Sequence, residues 1–278
     1  MENKVSPDKI SGLSSTLLIP LWAKAVEYNR PDALLRDAEA VRMMALIDYD
    51  FDEFASAKAS QVGCCGRAGL IDKETRRFIE ETPDCVVVQI GAGLDARFER
   101  LGRPQGVVWY DLDLPEVIDV RRKLLPEAGN HYLSCSMFDE SWMDTVASHG
   151  KPVLAVFEGV LMYFDEAEVK GLLGKIAGKF PQVSVVADIL PKMAIGKAKR
   201  HDALKKLSED KRPEFKWGLK DPLEIEQWQQ GWKLTAKHFL SSVCMPRYPF
   251  LLRLLYSTGW GRRNLDFPTI RLDCVRNA

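Results

Sequence analysis

The sequence predicts an α/β fold built on a mainly parallel sheet, and three observations carry that prediction. The run Val86-Val87-Val88-Gln89-Ile90 has four β-branched residues in five positions and stops at Gly91, as a strand buried on both faces does. Five strand-like segments, 85–90, 107–112, 131–135, 152–157 and 182–189, alternate with helix-like stretches, the pattern of parallel β/α units with helices on both faces. Two later strands, 232–240 and 269–275, have no recognisable crossover helix between them and read as an antiparallel pair closing one edge.

Taken in order, 14–81 contains no β-rich run. Apolar residues recur at helical intervals over Leu17 to Tyr28, Asp37 to Ile47, Asp52 to Gly63 and Asp72 to Glu81, so 1–82 reads as a helical cap on a core of 83–278. Within the core, helices are expected near Leu94 to Leu101, from Pro115 to Leu125 with proline in the first turn, from Phe138 towards Ser148, and from an Asp165 cap to Phe180. The alternation then breaks. The stretch 191–220 is rich in Lys, Arg and His and reads as an exposed helical insertion; Asp221 to Gly231 is a short helix, and 241–268 a second, helical or irregular insertion.

Composition narrows the function. Lys plus Arg and Asp plus Glu both total 39, a formal net charge of zero, which argues against a nucleic-acid binder relying on bulk charge. Met1 to Ser15 is polar, with no signal-peptide pattern, and the apolar 16–26 stretch is short and interrupted by Pro20, so no membrane segment is expected. Six cysteines without C-x-x-C spacing read as reduced, structural residues of a cytoplasmic protein, with no metal site.

Gly91-Ala92-Gly93-Leu94-Asp95-Ala96 satisfies G-x-G-x-x-G/A, and Asp111 stands 20 residues after Gly91, where a ribose-binding acid is expected. Glycines there remove side chains so that backbone approaches a cofactor closely. Strand alternation puts Asp111 and Asp113 on the same side, with Asp113 nearer the strand end. Glu158 ends another buried strand, so its carboxylate should face the same crevice, and it needs a partner there. The loop alone leaves a nicotinamide oxidoreductase, an S-adenosylmethionine enzyme and a non-catalytic cofactor-binding protein all open. Walker, zinc-protease and nucleophile-elbow motifs are absent, as is the Tyr-x-x-x-Lys of short-chain dehydrogenases. His131, His149, His201 and His238 are scattered and read as surface or packing residues.

Together, 87–98, Tyr110-Asp111-Leu112-Asp113-Leu114-Pro115-Glu116-Val117, Glu158-Gly159-Val160-Leu161-Met162-Tyr163 and Phe215-Lys216-Trp217-Gly218 resemble the leucine carboxyl methyltransferase family, and within it the bacterial tetracenomycin-type polyketide O-methyltransferases. Similarity continues through Pro20-Leu21-Trp22-Ala23-Lys24-Ala25 and Asp139-Glu140-Ser141-Trp142, covering nearly the whole chain. The resemblance implies a class I S-adenosylmethionine-dependent methyltransferase with a Rossmann-like, mainly parallel seven-stranded sheet and an antiparallel closing strand. By position, Arg67 matches the family arginine that holds the methionine carboxylate of the cofactor. Gly91 and Gly93 match the loop glycines, Asp113 the ribose acid, Ser136 and Met137 the adenine contacts, and Glu158 the cofactor-binding glutamate. Gln89 stands where Asn is usual and Ala96 where Thr is usual. The implied acceptor is a carboxylate, ionised at pH 7 and needing no general base. It belongs to a small-molecule acid in the bacterial branch, with a peptide carboxyl terminus the other choice. The N-terminal helices, the 192–220 stretch or Arg247-Tyr248 are expected to orient it.

Overall fold

A computed structural model describes residues 15–207, 209, 212–228 and 231–275. Most of the polar stretch Met1 to Ser15 lies outside the described residues, as does part of the expected Asp221 to Gly231 helix.

Seven strands form one sheet: β1 (Val86–Ile90), β2 (Val108–Asp113), β3 (His131–Ser134), β4 (Val153–Phe157), β5 (Gln182–Asp188), β6 (Trp232–Phe239) and β7 (Pro268–Val275), in the order β3-β2-β1-β4-β5-β7-β6. The first five run parallel, and β7 lies antiparallel to both β5 and β6. The order reverses between β1 and β4, the switch point at which open α/β sheets leave a crevice beyond their carboxyl ends. β1 is buried on both faces and is apolar at every position but Gln89. Val86, Val88 and Ile90 pack with Trp142, Val169 and Leu173 on one side, while Val87 meets Ile71, Phe78 and Trp109 on the other. Burying each such side chain stabilises the fold by about 1.5–3 kcal/mol.

Ten helices surround the sheet among the described residues. The cap contributes α1 (Leu18–Tyr28), α2 (Ala38–Leu46) and α3 (Lys58–Glu81). The core adds α4 (Arg97–Arg100), α5 (Pro115–Leu124), α6 (Ser141–Ala147), α7 (Glu166–Lys179), α8 (Ser241–Cys244), α9 (Phe250–Ser257) and α10 (Gly259–Leu265). Asp165 and Glu168 form the capping box of α7.

Three expectations need correction. The helices expected at Asp52 to Gly63 and Asp72 to Glu81 are instead a 3₁₀ turn at Phe51–Phe54 and one 24-residue helix, α3. Gly63, Gly66 and Gly69 made the middle of α3 look like a break, because each glycine costs about 1 kcal/mol against alanine in a helix. Tertiary packing decides otherwise: a Cβ on Gly66 would stand 2.2 Å from Cys244 Sγ, so the glycine lets α8 press directly on α3. The helix expected over 94–101 shrinks to the four residues of α4, because the glycine loop continues to Ala96. Finally, the described part of 191–220 is not an exposed helical face. It is an irregular strap with single 3₁₀ turns, and its Ala198, Ala203, Leu204, Leu207 and Phe215 are buried in the same apolar cluster as the cap helices. Asp202 on this strap accepts the backbone N–H groups of Ala59 at 2.9 Å and Ser60 at 3.2 Å. It thereby caps the N-terminus of α3, which Ala57 leaves without a side-chain cap.

Candidate functional site

The glycine loop after β1 is tied to the end of β2. Gly91 N–H and Ala92 N–H both donate to Leu112 O, at 2.8 and 3.0 Å, and Gly93 N–H donates to Asp113 Oδ2 at 2.7 Å. Gly91 has φ +67°, and a Cβ on it would lie 2.4 Å from Val160 Cγ2, so both its conformation and its neighbour require glycine. Asp113 Oδ1 accepts Leu114 N–H at 2.8 Å, and each oxygen keeps a lone pair for a further donor. Burial raises the Asp113 carboxyl, against the pull of those two amides. Asp111, two residues earlier, is fully buried and holds Arg121 at 3.1 Å and Asn130 at 2.6 Å. Arg121 in turn donates to Gly93 O at 3.0 Å, so Asp111 braces the loop from behind while Asp113 faces the crevice.

Behind the loop lies a buried ion network that joins the cap to the core. Lys24 of α1, 2% exposed, reaches Asp95 at 2.6 Å and Glu158 at 3.6 Å. Arg97 is fully buried and bonds Asp72 at 2.7 Å, Asp95 at 3.3 Å and Glu158. Arg100 contacts Asp72, Asp37 and Asp95 at 2.6, 2.7 and 2.9 Å. Arg67, at the middle of α3, spans Asp188 at 3.2 Å and Glu158 at 3.6 Å, its guanidinium lying against Gly159 where a Cβ would be 2.8 Å from Nη2. Gln89, the residue where asparagine is usual, donates to Asp95 Oδ2 at 2.8 Å. Ala96, in the threonine position, is buried.

Burial opposes ionisation of Asp95, but Arg100, Lys24 and Arg97 outweigh it and hold that carboxyl well below its usual range. Burial is likewise outweighed at Asp72 by Arg100 and Arg97, and at Glu158 chiefly by Lys24 and Arg97. Asp37 and Asp188 go the other way, raised by burial despite Arg100 and Arg67 respectively. A carboxylate whose folded pKa is depressed contributes stability that is complete above its unfolded pKa and is lost as pH falls through its folded one. Denaturant unfolding across pH 3–7 should therefore show this contribution full above about pH 5 and falling steeply below about pH 4, where unfolded carboxylates bind protons. Asp37 and Asp188 partly offset this with the opposite sign. A stability that rises on acidification below pH 4 would contradict the network.

Arg67, Gly91, Gly93, Asp113 and Glu158 all line one cavity of about 510 Å³ at the switch point, together with Lys24, Gln89 and the cap residues Leu17 and Leu21. Ser136 and Met137 do not line it. Ser136 Oγ accepts Phe138 N–H at 3.3 Å, and Met137 is packed in the core, one residue from Phe138, whose ring meets that of Phe164 on the cavity wall at 5.0 Å. Two buried polar atoms of lining residues, Arg67 Nε and Gln89 Oε1, have no hydrogen-bond partner among the described residues. Burial pushes the Tyr163 phenol up to about 12, so it stays protonated at neutral pH.

A second cavity, of about 300 Å³, lies beyond Arg67 and shares that residue with the first. Arg247, expected near an acceptor, is engaged elsewhere: it grips Glu27 at 3.1 Å and contacts Asp32, and it lines neither cavity. Sequence reasoning attached no role to Asp95, Arg97, Arg100 or Asp188. Asp188 did carry a signal, an acid at the carboxyl end of a buried strand like Glu158.

Residues 18–177 match the family model described as leucine carboxyl methyltransferase. The chain is 31% identical over 242 residues to tetracenomycin polyketide synthesis O-methyltransferase TcmP of Streptomyces glaucescens, covering 84% of this chain and 88% of that protein. It is 27% identical over 264 residues to the S-adenosyl-L-methionine-dependent methyltransferase dpfgK of Gibberella zeae, covering 83% of each. Among solved structures, the plantazolicin methyltransferase BpumL in complex with a triazolic desmethylPZN analogue and SAH superposes with a TM-score of 0.49 at 11% identity, over 95% of this chain and all of that one.

Proposed function

This chain belongs to the leucine carboxyl methyltransferase family and is an S-adenosylmethionine-dependent methyltransferase; from that premise we propose that it methylates a carboxylate oxygen of a small-molecule acid. The observation that carries the acceptor class is the chemistry of the first cavity. Of its carboxylates, Asp95 and Glu158 are committed to cations and Asp113 to backbone amides, Glu116 stands exposed to solvent, and Tyr163 stays protonated. No buried group there is poised to take a proton near neutral pH, which suits an acceptor that is already ionised.

The residues fit the cofactor on structural grounds. Asp113, with a lone pair left on each oxygen, suits a ribose diol, and the glycine loop admits close backbone approach. Arg67 Nε, which lies 3.6 Å from Glu158 but makes no hydrogen bond, and Gln89 Oε1, an unmatched acceptor, suit the carboxylate and ammonium of an amino-acid end. We assign Arg67, Gly91, Gly93, Asp113 and Glu158 to cofactor binding on this basis, and Ser136 and Met137 to its adenine end through the Phe138–Phe164 wall. The bound cofactor supplies an electrophilic methyl on a sulfonium. The protein's part is positioning: Leu17, just before α1, and Leu21 within it cover the cavity and exclude water, and the ion network fixes Arg67 and Glu158 before binding.

Incubation with methyl-labelled S-adenosylmethionine and a panel of small aromatic acids should give a labelled methyl ester, recognised because mild alkali releases the label as methanol. Label stable to alkali, on nitrogen or as an ether, would overturn the carboxylate assignment.

A further inference from the structure

Building on the carboxylate reading, we propose that the second cavity is the acceptor chamber, that it takes a largely apolar aromatic acid, and that Arg200 selects its negative charge. The chamber lies where an acceptor must enter. Asp188 ends β5, Leu240 follows β6 and Phe267 precedes β7, so it opens at the same edge of the sheet as the first cavity, one step beyond the switch point. Arg67 is the wall between them, which brings an acid held in the chamber up to the cofactor cavity.

The lining sets the class of acid. Leu240, Tyr248, Leu252, Tyr256 and Phe267 make the greater part apolar, with the rings of Tyr248 and Tyr256 5.4 Å apart. An aromatic body matches such walls, whereas a peptide tail would bring amide groups that need partners. The polar lining has few partners to offer. Asp188 is bonded to Arg67 and to Gly159 N–H at 2.6 Å. Asp202 is taken up by the α3 N-terminus and by Ser60 Oγ. Burial keeps the His201 ring neutral at pH 7, and its Nδ1 lone pair accepts Leu204 N–H at 3.4 Å, so it offers an acceptor no base. That leaves Arg200, an exposed side chain on the chamber's lining that makes no ion pair among the described residues, as the chamber's unspent positive charge. The chamber is thus complementary to an anion with an apolar body, and Arg200 does not touch the cofactor cavity.

The test uses the full chain with labelled S-adenosylmethionine and three probes: 2-naphthoic acid, 2-naphthol and a short peptide ending in a leucine carboxylate. The expected result is an alkali-labile ester on the naphthoic acid in preference to the peptide, with no label on the naphthol. Arg200→Ala should raise the KM for naphthoic acid about tenfold with kcat little changed, as loss of one charge-assisted contact does, and Arg200→Lys should restore most of it. Leu252→Trp, which fills the chamber from α9, should also raise that KM at least tenfold. In both variants the dissociation constant for S-adenosylhomocysteine should stay within about twofold of the parent. If naphthoate ester forms but neither variant moves the KM, the chamber is not the acceptor site and carboxyl methylation stands. Preference for the peptide overturns the apolar acid. If S-adenosylhomocysteine binds and no carboxylate probe is esterified, the carboxylate reading fails, and this assignment with it.

Discussion

Arg97→Leu should be the most destabilising single substitution in the ion network, costing about 3–5 kcal/mol, because removing one partner leaves buried charge uncompensated. Arg97 is completely buried and serves Asp72, Asp95 and Glu158 at once, so its loss strands three carboxylates beside only Lys24, Arg67 and Arg100. Folded proteins are stable by only about 5–15 kcal/mol, so the loss is a large fraction of the total. In thermal unfolding it corresponds to a fall of roughly 10 °C at about 2–4 °C per kcal/mol. A cycle with Asp72→Asn, 2.7 Å from Arg97 Nε, should be non-additive: the double variant should lose less than the sum of the singles. Additive losses, or a single loss below about 1 kcal/mol, would mean that solvent or rearrangement compensates these charges and that the network does not hold the cap to the core.

The sheet was legible because its signal is local. A strand buried on both faces is apolar along nearly all of its length, as Val153 to Phe157 is and Val86 to Ile90 is but for Gln89, so their ends and the crevice beyond them followed. Gly91, Asp113 and Glu158 could be found for the same reason, since each stands where a parallel strand ends. Arg67 could not be found that way. On its own it stands in the glycine-interrupted gap between two expected helices, and what distinguishes it is Asp188, 121 residues later. Lys24 likewise takes its meaning from Asp95, 71 residues away. Such pairs have no periodicity to read, and Arg67 was accessible through family resemblance alone. The 191–220 strap failed for a related reason. Its charges look solvated in sequence, but its apolar residues have no helical spacing because they are buried one turn at a time against the cap. In α3, by contrast, local propensity pointed to a break at the glycines, and contact with α8 overrode it.

Arg67→Ala should have the largest effect on function. Arg67 borders both cavities, so on the assignment proposed above its removal takes away a donor for the cofactor's amino-acid end and the wall against which the acceptor rests. Loss of a charge-assisted hydrogen bond, about 1.5–3 kcal/mol, corresponds to roughly a 10- to 100-fold weaker affinity for S-adenosylhomocysteine. Methyl transfer should fall further still, because displacement at the methyl depends on holding both partners in line. Part of any loss could come from Asp188 and Glu158, which the substitution leaves underpaired, and the cation-preserving Arg67→Lys separates the two effects. It keeps a positive charge beside Asp188 at 3.2 Å and Glu158 at 3.6 Å but lacks the planar fork. It should therefore recover most of the melting temperature while recovering little of the turnover. Calorimetric titration of both variants, alongside their melting curves, decides the matter. An affinity within twofold of the parent in Arg67→Ala would remove this arginine from the cofactor site and leave it a strut between α3 and β5.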